Sequence, residues 1–103
     1  MYSVYAIEIS DERGLRLNPK YPNLYVGQTA LTPEERFAQH KVGYKTSRHL
    51  WKGGKGRGQW LGLWLKPRLY ERYNPIETRA EAERLEVRLA EQLRHKGYTV
   101  FVG

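Results

Sequence analysis

The order of apolar and polar positions predicts where this chain forms strands and helices. In Val4–Ser10 (VYAIEIS), Tyr5, Ile7 and Ile9 alternate with Val4, Ala6 and Glu8, which is the period of a strand. Asp11–Asn23 is rich in turn formers and reads as a long hairpin connection. Leu24–Gln28 (LYVGQ) is then a second strand, antiparallel to the first. Thr32 reads as an N-cap, Pro33 as the first helical residue, and Thr32 with Glu35 as a capping box. That helix runs to about Lys41 or Val42 and stops before Gly43.

The middle of the chain has no clear period. Trp51–Trp60 (WKGGKGRGQW) is mostly glycine and cation and reads as a mobile loop. Leu61–Tyr73 holds LGLWL and RLYERY, separated by Pro67, and at least one of the two is expected to be strand. Asn74-Pro75 marks a turn. Thr78, with Glu81, caps a second helix whose apolar stripe is Ala82, Leu85, Leu89 and Leu93. Gly97 ends it, and Tyr98–Val102 closes the chain as a strand.

The resulting order is β-β-α, an irregular basic stretch, then β-α-β. It lacks a regular βαβ rhythm, so the expected class is α+β, a small and mostly antiparallel central sheet flanked by helices. A length of 103 residues suits one domain spanning 1–103. No apolar run reaches the roughly 18 residues of a membrane span. The start MYSVYAIEIS has neither the basic nor the apolar part of a signal peptide. With no cysteine, disulfides and thiol catalysis are excluded and a structural zinc site is disfavoured. The expected location is cytoplasmic.

Charge changes this picture. The net +7 is not spread evenly: residues 1–40 carry −1, residues 73–103 carry 0, and residues 41–72 carry +8. Lys41, Lys45, Arg48, Lys52, Lys55, Arg57, Lys66, Arg68 and Arg72 stand there against Glu71 alone. Clustering of this kind points to a polyanion. A membrane surface calls for an amphipathic basic helix. The segment at about 43–66 is instead broken by glycines and carries Trp51, Trp60 and Trp64, which favours nucleic acid. Its GGKGRG lacks the spacing of a phosphate-binding P-loop, so a basic loop touching a nucleic-acid backbone is the better reading.

Candidate chemistry lies on either side of that segment. On the second helix Glu86 falls about 55° from the centre of the apolar stripe, at the edge of the inward face. A carboxylate there needs either an ion pair, with Arg36 or Arg88, or a bound cation. Arg36 and His40 are four residues apart and share a face of the first helix, while Tyr25 lies on the strand that leads into it. The three can converge if helix and strand pack together. His95, at the end of the second helix, suits the helix dipole. The histidines lack zinc-ligand spacing, and no nucleophile elbow is present.

These residues, in this order, resemble the GIY-YIG endonuclease superfamily. Ser3-Val4-Tyr5 stands where that family has GIY, and Tyr25-Val26-Gly27 where it has YIG. Arg36 and His40 stand at the family's Arg-x-x-x-His on the following helix, and AERLEVRL (Ala82–Leu89) puts Glu86 at its helical glutamate. The likeness covers essentially the whole chain. It departs in having Ser3 for glycine, Gln28 where many members have lysine, and no asparagine after the glutamate helix. The lysine's role would be absent or would pass to Lys41 or Lys45. His49, nine residues after His40, matches a second histidine of homing-type members.

The resemblance implies a metal-dependent endonuclease acting on DNA. Glu86 would be the metal ligand for one Mg2+ or Mn2+, and Arg36 would hold the phosphate. Tyr5, Tyr25 and His40 are the candidates for activating water, Tyr25 assisted by His40 being favoured. Lys41, Lys45, Arg48, His49, Lys52, Lys55 and Arg57 would grip nucleic acid; Trp51, Trp60 or Trp64 would either stack on exposed bases of a single-stranded or distorted substrate or belong to the core. With no room for an added binding domain, specificity would be weak, structure-selective, or supplied by a protein partner or oligomer. The alternatives are a non-catalytic nucleic-acid-binding module on the same fold and an interaction domain whose basic patch meets an acidic partner.

Overall fold

The structure, a computed structural model, describes residues 1–14 and 16–103. Strand β1 (Ser3–Ile9) pairs antiparallel with β2 (Asn23–Thr29), from Ser3↔Thr29 to Ile9↔Asn23. Helix α1 (Pro33–Lys41) follows. A short hairpin, β3 (Trp51–Lys52) and β4 (Gln59–Trp60), precedes β5 (Gly62–Leu65). Helix α2 (Arg79–Lys96) leads into β6 (Thr99–Val102). The main sheet has the order β5-β1-β2-β6. β5 is antiparallel to β1 and β6 is parallel to β2, so the sheet is mixed and mostly antiparallel, as expected for the α+β class.

Both faces of β1 are covered. Tyr5, Ile7 and Ile9 point one way, Val4 and Ala6 the other, and all five are buried. α1 packs on β1 and β5; α2 packs on β2, β6 and β1. The buried apolar side chains form one cluster that takes in Ala82, Leu89 and Leu93 of the α2 stripe, with Leu85 half-buried against it. No helix among the described residues is long and apolar enough to cross a membrane.

Local chemistry explains the helix ends. At α1 the capping box is complete: Thr32 Oγ1 accepts from Glu35 N–H (3.1 Å) and Glu35 Oε1 accepts from Thr32 N–H (3.0 Å). At α2 only half forms, Thr78 Oγ1 accepting from Glu81 N–H (3.1 Å). Gly97 (φ 118°) ends α2: its N–H donates to Arg94 O (3.0 Å) and Tyr98 N–H donates to Leu93 O (3.1 Å), a Schellman motif.

Two expectations for the middle segment are corrected. Trp51–Trp60 is a hairpin, with Trp51 opposite Trp60. The reason is aromatic: the Trp51 and Trp60 rings lie 5.3 Å apart and Phe37 of α1 meets Trp60 edge-on at 5.9 Å, so the apolar ends of a glycine-rich loop are anchored in the core. Trp51 and Trp60 are therefore partly buried against the core, and of the three tryptophans Trp64 is mainly exposed (54%). Of the two candidate stretches after Leu61, LGLWL contains the strand; the residues beyond Pro67 form two 3-10 turns.

Candidate active site

Tyr5 is directly opposite Gly27 in the β1–β2 ladder. A Cβ at Gly27 would lie 2.5 Å from Tyr5 Oη and 2.7 Å from Cζ. The glycine therefore lets the tyrosine ring cross the neighbouring strand, and the close approach is what this position requires. Beyond the glycine, Tyr5 Oη reaches 2.8 Å from Nε2 of His40, in the last turn of α1. The Tyr5, Tyr25 and His40 rings form a triangle with centroids 6.3, 6.0 and 5.5 Å apart.

Arg36 approaches from one turn earlier in α1. Its Nη1 donates to Gln39 Oε1 (2.9 Å) and Tyr44 O (3.2 Å), and its Nη2 donates to Lys45 O (2.7 Å). These bonds tie down the chain reversal after α1, where Lys45 holds φ 45°. Nε–H and one Nη2 hydrogen are not used by these three bonds, and the guanidinium lies close enough to the Tyr5 hydroxyl to favour its ionised form.

Glu86 comes from α2. Among the described residues it makes no ion pair, with Arg36, Arg88 or any other cation, so the ion-pair reading of this carboxylate is set aside. Among the described residues β6 pairs with Asn23–Val26 of β2 and with nothing from Gly27 onward. The Glu86 carboxyl feels the backbone amide of Gln28, on β2.

Electrostatics links the five groups. Burial, and then the neighbouring Tyr25, push the Tyr5 phenol up, while the Arg36 charge opposes them. Burial raises Tyr25 too, against the Ser47 hydroxyl; Glu86 adds to the rise and Arg36 counters it. His40 is fully buried, and burial with Arg36 nearby takes it down to about 4, so its ring is neutral near pH 7. Glu86 is raised by burial, partly offset by the Gln28 amide.

Among the described residues, no three His, Cys, Asp or Glu side chains gather as a metal cage. Glu86 would offer one hard oxygen donor; it is half-buried and makes no ion pair among the described residues. That donor set fits an ion that keeps most of its waters, as Mg2+ does, and not one held wholly by protein.

Lys41, Lys45, Arg48, Lys52, Lys55 and Arg57 are all exposed, and none makes a salt bridge among the described residues. Gly43, after α1, and Gly56, at the hairpin tip, meet backbone to backbone: a Cβ on Gly43 would lie 2.7 Å from Gly56 Cα. That contact sets the turn after α1 against the tip of the hairpin. His49 is elsewhere: its Nδ1 accepts from Arg13 Nη2 (3.0 Å) and its ring packs on Phe101 at 5.2 Å. Trp64 donates to Glu8 Oε1 (3.3 Å), on the sheet face opposite His40.

Sequence reasoning missed Thr46 and Ser47, both buried beside the site. Thr46 Oγ1 lies 3.0 Å from His40 Nδ1 and accepts from Trp51 Nε1–H (3.1 Å). A threonine six residues after a histidine carries no helical signal; the reversal at Gly43 brings it back.

No family model matches this sequence, no characterised protein matches it, and no solved structure matches the fold.

Proposed function

We propose that this protein is a small GIY-YIG-like endonuclease that hydrolyses phosphodiester bonds in DNA with one divalent cation. The observation that carries this reading is the gathering of Tyr5, Tyr25, Arg36, His40 and Glu86, from two strands and two helices, in a protein with six exposed cations that make no salt bridge among the described residues. A structural core has no use for a half-buried carboxylate that makes no ion pair among the described residues and whose charge bears on two phenols.

Each group has a part. Arg36 offers its remaining Nε–H and Nη2–H to the phosphate oxygens, and its charge counts most as theirs builds up. Tyr25 takes the proton of the attacking water, with Tyr5 and His40 behind it. An unperturbed phenol titrates near 10 and burial raises Tyr25 further, so it needs positive charge beside it to act near neutral pH; Arg36 provides part of that. Glu86 would hold Mg2+ or Mn2+, which when bound polarises the phosphate and stabilises the leaving oxygen. Lys41, Lys45, Lys52, Lys55 and Arg57 hold the flanking backbone.

One observation favours a second reading. Arg36 already makes three hydrogen bonds within the protein, which suits a non-catalytic DNA-binding module whose arginine shapes a basic loop. Cleavage of single-stranded, duplex and branched DNA with Mg2+, Mn2+ or chelator separates the two. The nuclease reading expects metal-dependent products that vanish in Glu86→Ala while DNA binding persists. A folded wild type that binds DNA and cuts none of these substrates supports the binding module.

A further inference from the structure

The hydrogen bonds around His40 have a direction. Trp51 Nε1–H can only donate, and it donates to Thr46 Oγ1 (3.1 Å). The other neighbour of Oγ1 is His40 Nδ1 at 3.0 Å, and Oγ1 makes no further hydrogen bond among the described residues. Thr46 is buried (8% exposed) and has one proton to place. If His40 carried its proton on Nδ1, two N–H groups would converge on Oγ1 and the hydroxyl proton would have no acceptor among the described residues. A buried donor without an acceptor is costly. The reverse arrangement satisfies every group: Thr46 O–H donates to Nδ1, and Nε2–H donates to Tyr5 Oη, 2.8 Å away. The Tyr5 proton is then free to turn toward Tyr25, whose ring is 6.3 Å from its own.

We infer that Thr46, oriented by Trp51, sets His40 as the Nε2–H tautomer, so that Trp51, Thr46, His40 and Tyr5 form a one-way chain of donors aimed at Tyr25. In this chain His40 is a donor, not a base. Thr46 and Trp51 are positioning residues: they reach the site only through His40. The chain favours negative charge on the Tyr25 oxygen, the state a base requires, and this consequence rests on the nuclease reading; the tautomer does not.

Histidine 15N NMR reads the tautomer directly, in wild type, Thr46→Val and Thr46→Ser near pH 7. Wild type is expected to show Nε2 protonated and Nδ1 bare. Thr46→Ser should keep that pattern. Thr46→Val should shift both nitrogens toward a mixture, because Tyr5 alone can donate or accept. Wild-type His40 protonated on Nδ1, or Val and Ser variants with the same nitrogen shifts, would overturn the inference. Should Thr46→Val fail to fold, the wild-type and Thr46→Ser spectra still decide it. In cleavage assays Thr46→Val should lower kcat about tenfold with KM unchanged, and Thr46→Ser should stay near wild type. An Nε2–H tautomer in a protein that cuts no DNA keeps the chain and removes the nuclease; cleavage with an Nδ1–H tautomer does the opposite.

Discussion

The Tyr5 hydroxyl meets His40 Nε2 at 2.8 Å by passing over a glycine in the strand between them. Gly27 has no side chain to stop it, so a residue on β1 touches α1 from a fully buried position. This contact links sheet, helix and candidate site, and the first expectation follows from it.

Gly27→Ala puts a methyl group 2.5 Å from Tyr5 Oη. The ring has to move, and overpacking of this kind destabilises by about 1–3 kcal/mol. Denaturant unfolding should register that loss. In a Tyr5→Ala background the same change should cost much less, because the clashing ring is gone. An additive pair would show that the clash is not the cause.

Acid should unfold the protein partly through His40. Its folded value is about 4 against an ordinary 6.5, so between those values the unfolded chain binds a proton that the folded chain does not. Stability from this group is full above about 6.5 and is lost as the pH falls toward 4, on the order of 3 kcal/mol in all. Glu86 has the opposite sign: raised by burial, it favours the folded state at low pH and loses that advantage as the pH rises through its folded value. Unfolding curves at several pH values should therefore be flatter below 6.5 for His40→Gln than for wild type. Parallel curves would remove His40 from the account.

Glu86→Gln should not destabilise the metal-free protein at neutral pH. It removes a carboxylate that is partly desolvated and lacks a cation among the described residues, so a small gain, on the order of 0.5 kcal/mol, is expected. Millimolar Mg2+ or Mn2+ should raise the Tm of wild type and not of Glu86→Gln. Equal shifts in both would place the cation elsewhere.

The exposed cations predict the salt response of DNA binding. Each phosphate contact contributes about 0.9 to the slope of log affinity against log salt. Replacing both Lys55 and Arg57 by alanine should lower that slope by roughly 2, with the fold intact, since neither side chain is buried. An unchanged slope would mean that the hairpin tip does not touch the DNA backbone.

Much of this was legible along the chain. The β1 alternation, the Thr32 cap, the Gly97 stop and the α2 stripe are local signals, and each element forms where its signal lies. The position of Glu86 at the edge of the buried face also follows from helical spacing alone. The hairpin did not, because the glycines of Trp51–Trp60 say turn while the force that orders it comes from Phe37. Trp51 and Trp60 looked available for bases for the same reason.

The sequence by itself determined the elements on either side of the basic segment, the charge concentrated in residues 41–72 and the identity of the groups able to do chemistry, because periodicity, caps and charge act over a few residues. Only the tertiary structure decided what those groups touch: that Arg36 binds carbonyls and not Glu86, that His49 packs on Phe101, and that Thr46 closes on His40. Such contacts depend on chain reversals and on close backbone approach, at Gly27 above all, and no local spacing encodes the distance between two segments that meet only when the sheet and helices pack.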